Sequence, residues 1–248
     1  MKFGRLSKRA DPRTLEFAKY AAALPPPPAQ FSSLDQVFSK LGIAPAQQAA
    51  AIAELFPMDL NDTIGDCTCA GLAHAVTVFS GKAGIRRVPP TANVQALYYA
   101  LTGGRDTGCD LLTVLNAWRS RVVKPDEILA FVEISSANHT HIRQAIETFG
   151  AVYLGFQVTD QTLDQFNAGQ PWTPGSPTGD GHCVLAVGYD AQTIGVLTWG
   201  ALQQGTWAWW DQCVDEAYAV LPVQAEKPGF APGFDFNTLS ADLALVTG

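Results

Sequence analysis

Two residues far apart in the chain, Cys67 and His182, have the types and local settings that nucleophilic chemistry needs. From Cys67 onward, Cys69, Leu72, Val76 and Phe79 recur at steps of three and four, so Cys67 opens a helix with one apolar stripe. A thiol in the first turn of such a helix meets the backbone N–H groups and the positive end of the helix dipole, which lower its pKa from about 8.5 by several units. His182 opens a run of alternating apolar residues, 182–189, and follows Gly181, where another backbone can approach closely. An imidazole on a strand facing the thiol completes a thiolate–imidazolium pair, and such a pair attacks acyl carbons.

The other thiols and imidazoles read differently. Cys69 belongs to the apolar stripe, and Cys183 points away from His182 with Leu185 and Val187, so both are packing residues. His74 shares a face with Cys67 but lies roughly 10 Å along the helix, too far to act as its base. His139 and His141 flank a helix start and are expected at the surface. Cys67, Cys69, His74 and Cys109 together do not have a spacing that metal sites prefer, so no metal and no cofactor is expected.

The elements that must position the pair divide the chain by character. Residues 1–30 read as an arm, with a short helical pattern through Phe17, Tyr20 and Leu24 closed by a proline run at 25–28 that continues as an extended segment across the body. Helices are predicted at 33–41 and 45–55, then a loop over 57–66, the buried helix from Cys67 with Gly81 as its stop, and further helices at 94–101 and 111–121. After residue 125 the pattern changes to strand at 128–134, helix at 141–149 and strand at 152–158. A Gly/Pro/Thr-rich loop at 169–181 leads into a hairpin, 182–189 and 194–199, that turns at Asp190–Thr193.

Several segments at fixed places resemble a papain-like cysteine peptidase, over about 61–220. Asn61-Asp-Thr-Ile-Gly65-Asp-Cys67-Thr resembles that family's Gln-x-x-x-Gly-Ser-Cys-Trp, in which the Gln is an oxyanion-hole donor and the Cys is the nucleophile. Thr107-Gly-Cys109-Asp resembles the Gly-Cys-Asn-Gly-Gly segment that borders the substrate groove, and 142–156 resembles the family's helix followed by a strand. Gly181-His182-Cys-Val-Leu-Ala-Val-Gly188-Tyr189 resembles Gly-His-Ala-Val-x-x-Val-Gly-Tyr and is the most specific of these matches. Thr198-Trp199-Gly200 with the aromatic run at 207–218 resembles the Asn-Ser-Trp-Gly block and closing aromatic strand.

The resemblance implies an α+β, two-lobe fold: a helical lobe at about 61–127, with the Cys67 helix at its centre, packed on an antiparallel β-barrel-like lobe at 128–248. Residues 31–248 would form one domain. It also implies a hydrolase of peptide or other amide bonds in which Cys67, His182 and Asn61 are catalytic. The family's His-orienting Asn lies two residues before the Trp, where Leu197 stands; a shortened hairpin turn would bring Thr198 to that place instead. Asn61 is one methylene shorter than the family's Gln, Leu111-Leu112 replaces the Gly-Gly of the groove, and neither an inhibitory propeptide nor a disulfide framework is recognisable. These departures keep a second reading open, a papain-fold protein without catalysis that serves as a binding or structural component.

Composition narrows the partners. The chain has 248 residues, 47% hydrophobic and 16% charged, enough to bury a large core, with 16 basic against 23 acidic residues and a formal charge of -7. Neither sign forms a run that tracks a phosphate backbone, so nucleic acid is not an expected partner, and no apolar stretch approaches the roughly 20 residues of a membrane span. A peptide or protein substrate is expected. The basic start at 1–9 is followed by Asp11, Glu16 and Lys19 where an export signal would be apolar, and five cysteines are an odd number for a disulfide framework. A reducing, cytoplasmic setting follows as the expectation.

Overall fold

The structure, a computed structural model, describes residues 1–120, 126–227 and 230–247. The change of pattern expected at residue 125 and the predicted helix end at Arg121 lie outside them.

The chain forms β1 (Phe31–Ser32), α1 (Ser33–Leu41), α2 (Gln48–Leu55), α3 (Cys67–Lys82), α4 (Thr91–Thr102) and α5 (Leu111–Arg119). Then follow β2 (Ile128–Ile134), α6 (His139–Phe149), β3 (Val152–Thr159), α7 (Thr162–Asn167), β4 (Pro177–Tyr189), β5 (Thr193–Thr198), β6 (Ala201–Thr206), α8 (Trp207–Cys213), β7 (Val214–Pro222) and α9 (Phe236–Thr247). The strands make an antiparallel sheet in the order β2-β7-β3-β4-β5-β6, with β1 paired to β4.

Alternation along the strands, with register shifts in β2, β3, β4 and β7, divides the core between the two faces of this sheet. Tyr153, Cys183, Leu185, Val187, Leu197 and Tyr218 face α1, α3 and α5. Leu154, Phe156, Val184, Ala186, Val196 and Ala219 face α6, α8 and the arm residues Phe17, Tyr20 and Leu24. Helix α3 is central, buried on nearly all sides, and lies against β4 and β3 so closely that a Cβ on Gly71 would come 3.0 Å from the Tyr153 ring.

Three expectations need correction. The sheet is open rather than barrel-like: its edge strands are met by single bridges, Glu16 on Glu133 beside β2 and Trp172 on Gly205 beside β6, instead of pairing with each other. Gly81 is not the stop of α3. It lies in the last turn because a Cβ there would come 2.7 Å from a Val37 methyl, and the left-handed residue after the helix is Gly84, φ 76°. The aromatic run is a helix before it is a strand, since the Thr206 hydroxyl accepts the Trp209 N–H and caps α8; Trp207, Trp209 and Trp210 are buried in the core. Among the described residues no helix is long and apolar enough to cross a membrane.

Candidate active site

Cys67 is the first residue of α3 and is wholly buried. Its sulfur receives two backbone N–H groups, one from Cys183 beside His182 and one from Gly4. His182, near the middle of β4 and wholly buried, bonds through Nε2 to the Thr198 hydroxyl at 2.9 Å. Its ring stacks on Trp199, centroids 4.5 Å apart and planes 21° apart, with the edges of Phe156 and Phe3 each at 5.7 Å. The other ring nitrogen, Nδ1, is buried without a hydrogen-bond partner.

The hairpin register decides which residue meets the imidazole. Tyr189 pairs with Ile194 and Leu185 with Leu197, so Leu197 faces the core on the α3 side and Thr198 lies on the His182 face. Trp199 then turns the chain with φ 46°, a left-handed conformation that a bulky residue adopts only under tertiary constraint, and here its ring is held between His182 and Phe166.

On the opposite wall Asn61 is 3% exposed and its Oδ1 has no partner. It sits at the end of a turn in which Asp59 and Leu60 have φ of 52° and 68°. Behind it, Asp59 accepts from the Thr91 hydroxyl at 2.8 Å, and His74 donates Nε2–H to the Pro57 carbonyl at 2.9 Å. Burial pushes the Asp59 carboxyl up to about 6 and the His74 imidazole down to about 4. Asp66, immediately before the thiol, occupies the N-cap position without capping; burial first, and then the neighbouring Asp59 charge, push it up to about 8.

The cleft between these walls is filled by the chain's own beginning, although no inhibitory segment was recognisable in the sequence. Lys2 N–H bonds the Asn61 carbonyl at 3.1 Å, Arg5 N–H the Gly181 carbonyl at 3.1 Å, Cys109 N–H the Gly4 carbonyl at 2.9 Å and Leu6 N–H the Cys109 carbonyl at 3.0 Å. Gly4 is required by this fit, because a Cβ there would lie 1.9 Å from the Gly65 carbonyl oxygen. At the thiol the segment presents the Gly4 N–H, while the Gly4 carbonyl is turned to the Cys109 N–H.

Closure also reverses the expected charge state. Burial pushes the Cys67 thiol up to about 12, outweighing the two N–H donors, and pushes His182 down to about 3. The helix-terminal lowering expected from sequence is overridden by loss of water, and the closed pair is neutral thiol and neutral imidazole. Cys69 on α3 and Cys183 on β4 are buried in the core on the helical side of the sheet, and all five cysteines are free thiols. His139 and His141 are half-buried rather than exposed: His139 bonds Asp211 at 2.6 Å and packs on Trp207, and His141 packs on Phe17. Among the described residues no group of three or more His, Cys, Asp or Glu could hold a metal ion.

Sequence reasoning missed Gly4, Arg5 and Glu216. The signal for the last was the acidic pair Asp215-Glu216 inside an otherwise apolar strand.

No protein-family model matches the chain, and no curated protein matches it by sequence. Solved structures do match. Xylellain, a cysteine protease from Xylella fastidiosa, aligns at a TM-score of 0.59 and 16% identity over 89% of this chain and 96% of its own. Digestive procathepsin L 3 of Tenebrio molitor larval midgut aligns at 0.58 and 12% over 86% and 75%. Procathepsin B S9 from Trypanosoma congolense aligns at 0.55 and 10% over 89% and 86%. The fold is papain-like.

Proposed function

We propose that the chain is a papain-like cysteine hydrolase of peptide or other amide bonds, held closed by its first residues. One observation carries this reading: the thiol at the start of α3 meets the backbone beside an imidazole whose Nε2 is taken by Thr198, leaving Nδ1 as the free ring nitrogen. With Nε2–H donated to the Thr198 hydroxyl, neutral His182 keeps its lone pair on Nδ1.

Once the segment leaves and water enters, the thiol proton passes to Nδ1 and the sulfur attacks the amide carbonyl carbon. The Cys67 backbone N–H and the Asn61 side-chain amide stabilise the oxyanion. Nδ1–H then protonates the leaving amine as the C–N bond breaks, and water, deprotonated by His182, hydrolyses the thioester and returns the thiol. Thr198 orients the ring without charge. Five free thiols support a reducing, cytoplasmic setting.

The second reading, a binding or structural protein without catalysis, is favoured by the neutral closed pair and by the absence of an amide or carboxylate on His182 Nε2. Hydrolysis of a fluorogenic peptide library separates the two. The chain carrying Gly4→Val, in which the segment no longer fits, should cleave members of the library, and the added changes Cys67→Ala or His182→Ala should abolish cleavage. Absence of turnover by folded Gly4→Val protein would leave only the second reading.

A further inference from the structure

All four backbone hydrogen bonds that hold residues 2–6 in the cleft are main-chain bonds, which any extended peptide can make. Side chains add to them: Lys2 Nζ pairs with Asp106, the Phe3 ring packs on His182 and Trp199, and Arg5 makes the segment's most deeply buried ion pair. The Arg5 side chain is 1% exposed, with Nε and Nη2 on Glu216 Oε1 at 3.0 and 2.7 Å, Nη1 on Asp215 Oδ2 at 3.1 Å, and Nη2 also on Asp215 Oδ1.

The acidic groups are built in advance of the guanidinium. Gln157 Nε2 donates to Asp215 Oδ2 at 2.7 Å, and the Tyr218 hydroxyl donates to Glu216 Oε2 at 3.1 Å, so both carboxylates are held by sheet residues when no cation is present. The floor is Gly155, where a Cβ would come 2.3 Å from Arg5 Nε. Two carboxylates face one cation, and Glu216 is fully buried. An apolar occupant would leave them uncompensated, and a lysine would offer a point charge in place of the planar fork that meets both at once.

We infer that Asp215, Glu216 and Gly155 form a subsite that selects an arginine side chain in the peptide occupying the cleft, with Arg5 as its resident stand-in. The inference deepens the hydrolase reading by naming the substrate class, peptides with arginine at this place. The site lies on the paired strands β3 and β7, with Asp215 at the point where their register shifts, whereas its occupant belongs to a segment that forms no strand of the sheet.

The test is a binding titration that needs no turnover. The full chain carrying Gly4→Val and Arg5→Ala, checked for folding by circular dichroism, is titrated with a fluorescent peptide of the sequence Lys-Phe-Gly-Arg-Leu-Ser and with its lysine and norleucine counterparts, followed by anisotropy. The arginine peptide should bind about thirtyfold or more tighter than the norleucine one, with lysine between them. Adding Glu216→Gln should remove most of that preference. Should the double variant fail to fold, the same titration on Gly4→Val alone gives the same ranking. Equal binding of the three peptides, or no binding to folded protein, overturns the subsite. Selective binding without hydrolysis would overturn the hydrolase and not the subsite; hydrolysis indifferent to arginine would do the reverse.

Discussion

The two walls of the cleft are built on different principles. On the sheet wall, His182, Thr198, Glu216 and Gln157 project from paired strands, so their directions follow from register, and each bonds a neighbour there. On the helix wall, Asn61 and Asp66 project from a loop that contains two left-handed non-glycine residues, and the Asn61 Oδ1 and the Asp66 carboxyl oxygens are buried without a partner beyond Asp66's own backbone. Apart from His182 Nδ1, these strand side chains find partners within the sheet, whereas this loop stores several unsatisfied groups around the thiol. The sheet wall therefore orients, and the helix wall is where an arriving carbonyl gains most.

That contrast orders the expected effects in the opened Gly4→Val chain. Asn61→Ala should slow kcat by roughly a hundredfold, because it removes a donor that acts on charge present only in the transition state. A fall in kcat smaller than that of a sheet-wall change would reverse the assignment. Thr198→Ala should cost roughly tenfold, since ring stacking on Trp199 still holds His182 while the tautomer preference is lost, and Thr198→Ser should restore most of it. Stopped assays of initial rate across the pH profile check both.

Asp66→Asn sharpens the comparison through stability. The folded carboxyl is pushed up to about 8 from the model-peptide value 3.8, so between those limits the unfolded chain ionises while the folded one keeps its proton. Stability is therefore undiminished below about pH 4 and falls by about 1.4 kcal/mol per unit as the pH rises toward 8. Melting curves of the variant, which lacks this loss, should match the parent near pH 4 and lie progressively above it toward pH 8. A constant difference would mean that Asp66 is already ionised in the fold.

The sheet wall was the legible one. The period-two pattern around His182 and the turn at Asp190 predicted the hairpin, and the three-four stripe from Cys67 predicted α3, because both patterns are local consequences of burial. The choice between Leu197 and Thr198 was left to a one-residue register, which depends on cross-strand pairing rather than on either strand alone. The raised Cys67 thiol and the filled cleft were not legible. Residues 1–9 read as a basic start, and nothing in their local pattern shows that Gly4 meets Gly65 or that Arg5 meets Glu216, both contacts between distant parts of the chain.

The most direct test of a closed cysteine nucleophile is the rate at which iodoacetamide alkylates each thiol at mildly acidic pH, read by peptide mass spectrometry in the parent chain and in Gly4→Val. In the parent, the thiol pushed up to about 12 beneath Gly4 should label slowly. In Gly4→Val, Cys67 should label about tenfold or more faster than Cys69, Cys109, Cys183 and Cys213, and His182→Ala should remove that lead. A Gly4→Val chain that is folded yet labels Cys67 no faster than the four other cysteines would contradict the account.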